Sequence, residues 1–145
     1  MRQHIRLGAV AALATGLLLA SAPAHATPGG PGVTAKTIVP TVTVDGKDYT
    51  VREITIPPGQ GTGWHFHDGT LYARVAKGTL SHFDAGCASD GVWSKGDFLT
   101  EPSGPDHVHI GQNRGDTDVV LQVLYVLPHG APFSRDAPNP GCDFE

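Results

Sequence analysis

A chain of 145 residues suffices for one domain and is too short for two of ordinary size, so any activity has to sit on one core. Its formal charge is −4, and it becomes −6 if residues 1–26 are removed, because these carry Arg2 and Arg6 and no acid. An acidic chain without a basic stripe argues against nucleic acid and anionic lipid as partners. Small molecules or another protein, a homodimer included, remain.

In chain order, Arg2 and Arg6 precede an apolar run over 7–20, and small residues follow up to Ala24-His25-Ala26. Charge, apolar stretch and small-x-small in that order make residues 1–26 a secretory signal peptide, cleaved after Ala26. The run is shorter than the roughly 20 residues that a membrane-spanning helix needs. A secreted or extracytoplasmic location follows, with no membrane contact once the signal is gone. Residues 27–40 hold Pro28, Gly29, Gly30, Pro31 and Gly32 and read as a flexible lead-in.

Residues 41–128 form the barrel candidate. Short β-rich runs are cut by glycine and proline, with no sustained helical periodicity. Strands are expected over 41–44, 49–56, 63–67, 71–76, 79–84, 98–101, 107–110 and 119–127. Asp45-Gly46, Lys77-Gly78, Asp90-Gly91 and Lys95-Gly96 read as turns, because glycine supplies the positive φ of tight turns. So many short strands in about 90 residues make an all-β sandwich or closed barrel. Residues 129–145, with Pro132, Pro138 and Pro140, read as an extended strap. In an exported chain the pair Cys87 and Cys142 is expected to form a disulfide that ties this strap to the barrel.

Two His-x-His triplets, His65-Phe66-His67 and His107-Val108-His109, hold four of the six histidines beyond residue 26. In a strand, i and i+2 share a face, so each triplet would present two imidazoles together. Trp64 and Phe66 would then pack on the opposite face, against the second sheet or the strap. Three or four converging imidazoles bind a divalent ion. A lone histidine on a strand is usually only a polar surface residue, but two triplets on strands that a barrel can juxtapose favour a site. Ser81, His82 and Asp84 do not make a hydrolase triad, since alternation separates Ser81 from His82 and no nucleophile elbow is present.

These residues carry a resemblance. Residues 59–78, with His65, His67 and Gly78, are similar to the first cupin motif, and residues 96–113, with Gly96, Pro102, Gly104, His109 and Asn113, to the second. The resemblance spans residues 48–127. It implies a single-domain double-stranded β-helix, the cupin-type jelly-roll barrel, with a metal inside one mouth.

Two departures stand out. The spacer after Gly104 is two residues longer than the family's, which makes His107 a competing match; His109 is the better ligand because Asn113 follows it correctly, and His107 becomes a fourth ligand or a supporting donor. The family's glutamate falls on Leu71, which cannot bind a metal. Glu101 reads as an exposed carboxylate at a strand end, with a substitute-ligand or acid/base role as the alternative.

The expected site is therefore His65, His67 and His109, with His107, around a divalent ion: Fe, Zn, Cu, Mn or Ni. Three functions fit: a metal-dependent oxidoreductase of dioxygenase type acting on a small molecule, a non-catalytic module binding a small ligand or metal, and a structural envelope protein with a relic site. Buried imidazoles are costly unless something satisfies them, which tilts the reading slightly toward the enzyme, although binding without turnover would satisfy them equally well. The fold alone does not choose.

Overall fold

The computed structural model describes residues 26–144, so the expected signal peptide lies, apart from Ala26, outside the described residues. Period-two burial builds the barrel. Along β9 (Val119–Pro128), Val119, Leu121, Val123, Tyr125 and Leu127 are buried and the residues between them are half-buried. The same alternation places Leu71, Ala73 and Val75 of β4 (Thr70–Lys77) inward, with Tyr72 and Arg74 exposed. Each buried Leu or Val among them contributes about 1.5–3 kcal/mol by leaving water.

These strands belong to a five-stranded antiparallel sheet of order β1-β2-β9-β4-β7, completed by β1 (Thr34–Val44), β2 (Lys47–Ile56) and β7 (Phe98–Glu101). A second five-stranded sheet has the order β10-β3-β8-β5-β6 and comprises β3 (His65–Phe66), β5 (Thr79–Asp84), β6 (Ser89–Ser94), β8 (His109–Gln112) and β10 (Arg135–Asp136). The main core lies between the sheets.

A second cluster, Trp64, Phe83, Ile110, Ala137 and Cys142, fills the space between the outer face of the second sheet and the strap. That sheet is therefore covered on both sides, which is why Phe83 and His82 are buried at adjacent positions of β5. Trp64 is fully buried there, as its alternation with the histidines implies. The Cys87–Cys142 disulfide and the pairing of β10 with β3 hold the strap in place.

Three local expectations are corrected. Strand structure starts at Thr34 rather than residue 41, because β1 is an edge strand exposed along its whole length and carries no burial alternation to read. Pro40 is tolerated at that edge, in a stretch where the β1–β2 register is irregular. Asp90-Gly91 is not a turn: both lie in β6, where Gly91 pairs with His82 and the Trp93 ring occupies the space a Cβ at Gly91 would fill. Residues Pro105–His107 form a 3-10 turn entered through Gly104 at φ 111°, so His107 and His109 are not on one strand.

The start of the described chain is tied down. Thr27 N–H donates to Ala137 O at 3.1 Å, and Trp64 N–H donates to the Thr27 hydroxyl at 2.7 Å. Among the described residues, no helix is long and apolar enough to cross a membrane.

Candidate metal centre

The second sheet brings the histidines together. His65 on β3 pairs directly with His109 on β8, and His67 follows β3 by one residue. His82 on β5, two residues beyond buried Leu80, joins them from the next strand. The ring centroids of His65 and His109 are 4.4 Å apart, and those of His82 and His109 are 4.7 Å apart. Glu101, the last residue of β7, reaches in from the opposing sheet.

Four hydrogen bonds fix the tautomers. Nδ1 of His65 lies 2.8 Å from Gly63 O, that of His67 2.7 Å from Phe133 O, and that of His109 2.8 Å from His107 O. A carbonyl oxygen only accepts, so each Nδ1 carries the proton and each Nε2 presents a lone pair. Nδ1 of His82 is held by the Asp90 carboxylate at 2.7 Å. Imidazoles anchored in this way are oriented and made more basic as ligands.

The Nε2 atoms of His67, His82 and His109 are buried and have no hydrogen-bond partner. Glu101 Oε2 is 3.1 Å from Nε2 of His67 and 3.6 Å from that of His109, and Oε1 is 3.6 Å from Nε2 of His82. With the proton on Nδ1, the 3.1 Å approach sets two lone pairs against each other, and a cation between them relieves the repulsion. The ligand atoms fall into two overlapping groups, His65/His67/His109 and His82/Glu101/His109, each within 4.8 Å. Nitrogen and carboxylate oxygen together suit a divalent transition metal.

Electrostatics favours the ligand forms of His65, His109 and Glu101, and the charged form of His82. Burial, reinforced by charge on His109 and His67, pushes His65 down to about 3. Burial first, opposed by Glu101 and aided by His82, lowers His109 to about 4. His82 is raised: desolvation opposes its charged form, but Glu101 and Asp90 outweigh it. Burial alone would raise Glu101, yet contacts with His67 and His82 and the charge of His109 hold its carboxyl well below the usual range.

His65, His67 and His109 thus converge. The His107 side chain does not join them: it is exposed on the 3-10 turn, and the residue contributes its carbonyl to His109 instead. Sequence reasoning missed His82 and misread Glu101, whose side chain is only 13% exposed. Each stands two residues from a buried leucine of its own strand, Leu80 and Leu99, and that spacing is the signal for an inward side chain. Leu71, 1% exposed, pairs directly with Glu101 across the β4–β7 ladder. The centre opens into a cavity of about 150 Å³ between the sheets, whose wall includes Arg52, Ile54, Leu121 and Phe133.

Solved structures repeat this fold. A cupin-like protein from Thermotoga maritima superposes with a TM-score of 0.61 at 21% identity, over 82% of this chain and 90% of its own. The fold is that of the cupins. The polyketide cyclase RemF from Streptomyces resistomycificus gives a TM-score of 0.60 at 18% identity over 78% of each chain. The cupin domain of an XRE-family transcriptional regulator from Enterobacter cloacae gives 0.54 at 16%, covering 66% of this chain and 95% of that one. No protein-family model matches the chain, and no curated protein sequence does. Within this cupin fold, the histidine cluster occupies the barrel interior next to the cavity, between the sheets and beneath the strap.

Proposed function

We propose that this chain is an extracytoplasmic metal-binding cupin that brings a small molecule onto a divalent transition metal held by His65, His67, His109 and Glu101, with His82 completing or supporting the set. The observation that carries the reading is the convergence of buried, unpartnered Nε2 lone pairs whose Nδ1 atoms are all tied back. Leaving such groups empty costs about 1–3 kcal/mol each, which a bound cation would recover. The disulfide supports an oxidising compartment.

A redox-active ion at this position supplies Lewis acidity and one-electron chemistry, which favours a small-molecule oxidoreductase of dioxygenase type. The protein's part is to orient the imidazoles, to exclude bulk water through the strap, and to offer the cavity to a ligand. A polyketide cyclase among the fold neighbours accords with small-molecule chemistry.

Reconstitution of chelator-stripped protein with Fe(II), Mn(II), Cu(II), Ni(II) and Zn(II), followed by elemental analysis, tests the reading. One tightly held ion per chain is expected, lost in His67→Ala and His109→Ala. Wild-type protein that retains no stoichiometric metal overturns it. Stoichiometric zinc alone from the native compartment would favour the non-catalytic binding module, since zinc has no redox chemistry.

A further inference from the structure

The inner face of β2 carries one residue that the metal centre does not use. Thr50, Ile54 and Ile56 are its buried positions, and Arg52 falls in the same register, so its side chain enters the barrel. There it helps to line the cavity that ends at the histidines. Among the described residues, no carboxylate forms an ion pair with it. Its Nε is buried without a hydrogen-bond partner, and one Nη donates a long bond of 3.4 Å to Ala35 O. Its guanidinium lies 4.2 Å from the Phe133 ring centroid and 5.9 Å from that of Tyr125, whose hydroxyl it also contacts by a hydrogen bond, so these two aromatic side chains hold it in place.

A charge turned inward is costly unless an opposite charge meets it. The cavity supplies none at that end: its one carboxylate, Glu101, belongs to the histidine cluster. Arg52 on β2 and Glu101 on β7 stand three strands apart in the sheet and two residues out of register, roughly 16 Å from backbone to backbone along it. Both side chains reach inward and shorten that gap. On the intervening strands, Val123 and Tyr125 of β9 and Leu71 of β4 line the space between, and the Tyr125 hydroxyl, in hydrogen-bond contact with Arg52, is its polar member. The polarity therefore runs from cation, through a mostly apolar belt that the Tyr125 hydroxyl interrupts, to the metal-ligating cluster.

We infer that Arg52 is the anchor for the carboxylate of a small organic acid, which it holds through paired N–H donors while the other end of the molecule faces His65, His67, His109 and Glu101. A planar guanidinium fixed against aromatic rings is built for bidentate carboxylate recognition. The volume selects a small acid: a cavity of about 150 Å³ matches one that admits benzene, so the ligand has roughly six to ten non-hydrogen atoms. A single cation suits a monocarboxylate better than a phosphate dianion. The inference rests on the proposed small-molecule site and names its ligand class.

The test is calorimetric titration of zinc-loaded and metal-free protein with butyrate and benzoate, their methyl esters, and inorganic phosphate, with metal content measured on every sample. The acids should bind wild type, and the esters roughly tenfold or more weakly. Arg52→Gln should abolish that preference with unchanged metal content, and Arg52→Lys should keep part of it, which guards against a variant that merely misfolds. The inference is overturned by carboxylate binding that survives Arg52→Gln at full strength, by esters that bind as well as acids, by a preference for phosphate, or by wild type that binds no acid. Arg52-dependent binding in protein that takes up no metal would sink the metal reading and leave the anchor standing. Stoichiometric metal without Arg52 dependence would do the reverse.

Discussion

Leu71 and Glu101 face each other across the β4–β7 ladder, with Leu71 buried and the Glu101 carboxylate 3.1 Å from His67 Nε2. The carboxylate that the cupin resemblance leads one to seek at residue 71 is thus present one strand over. Glu101→Leu should lower divalent-metal affinity by roughly 10- to 100-fold, as losses among ligand-supporting groups do. Adding Leu71→Glu to that variant should restore part of the loss, because both side chains enter the same space. Leu71→Glu alone should weaken folding by setting two carboxylates side by side. Competition with a chelator of known affinity reads the cycle, and a double variant no better than Glu101→Leu would refute the equivalence.

The histidines divide by geometry. His82→Ala should reduce metal retention, because its Nε2 is buried beside Glu101 and its Nδ1 is fixed by Asp90. His107→Ala and His129→Ala should leave metal content unchanged, both side chains being exposed and outside the cluster. Elemental analysis after dialysis decides. Equal losses in all three variants would mean that the effect is one of folding.

What the sequence disclosed follows from how local each signal was. The barrel was legible because inward and outward residues alternate along β4 and β9, and because Gly46, Gly78 and Gly96 take positive φ as turns require. His65, His67 and His109 were legible as close-spaced repeats. His82 and Glu101 were not, because each is a single residue on its own strand and only closure of one sheet on the other brings β7 to β8 and β5. His107 was misread for a local reason: Pro105, with its fixed φ, starts a 3-10 turn where a strand was expected, and the turn carries His107 out to solvent. Arg52 gave no signal either, since an arginine in a half-exposed strand ordinarily points to water.

Acid should loosen the β2–strap junction before it reaches the core. Asp48 is held down to about 2, chiefly by the Gly130 N–H, with further hydrogen bonds from Thr43 and His129. A carboxyl depressed from 3.8 binds fewer protons in the folded chain than in the unfolded one. Its stabilisation is therefore present above pH 3.8 and is lost as the pH falls through about 2. Asp48→Asn should lower Tm at pH 6, and the gap to wild type should close between pH 4 and pH 2. A gap independent of pH would assign the effect to packing.

The strap links the disulfide to the metal centre. Phe133 O, which fixes Nδ1 of His67, lies on the segment that Cys87–Cys142 and the Arg135–Asp68 ion pair hold against the barrel. Closing a loop of this sequence separation, 55 residues, restricts the unfolded chain and contributes about 4 kcal/mol in the chain-entropy estimate. Replacing both cysteines by serine should therefore lower the urea midpoint substantially. It should also weaken metal binding, because a displaced strap withdraws the carbonyl that holds the proton on Nδ1 and leaves the His67 ring free to turn. Arg135→Ala, which removes an exposed, solvent-screened ion pair, serves as the milder probe of the same coupling. Urea unfolding and chelator competition on the same samples separate the two effects. If the serine variant loses stability yet binds metal as tightly as wild type at low temperature, the strap stabilises the barrel without orienting His67.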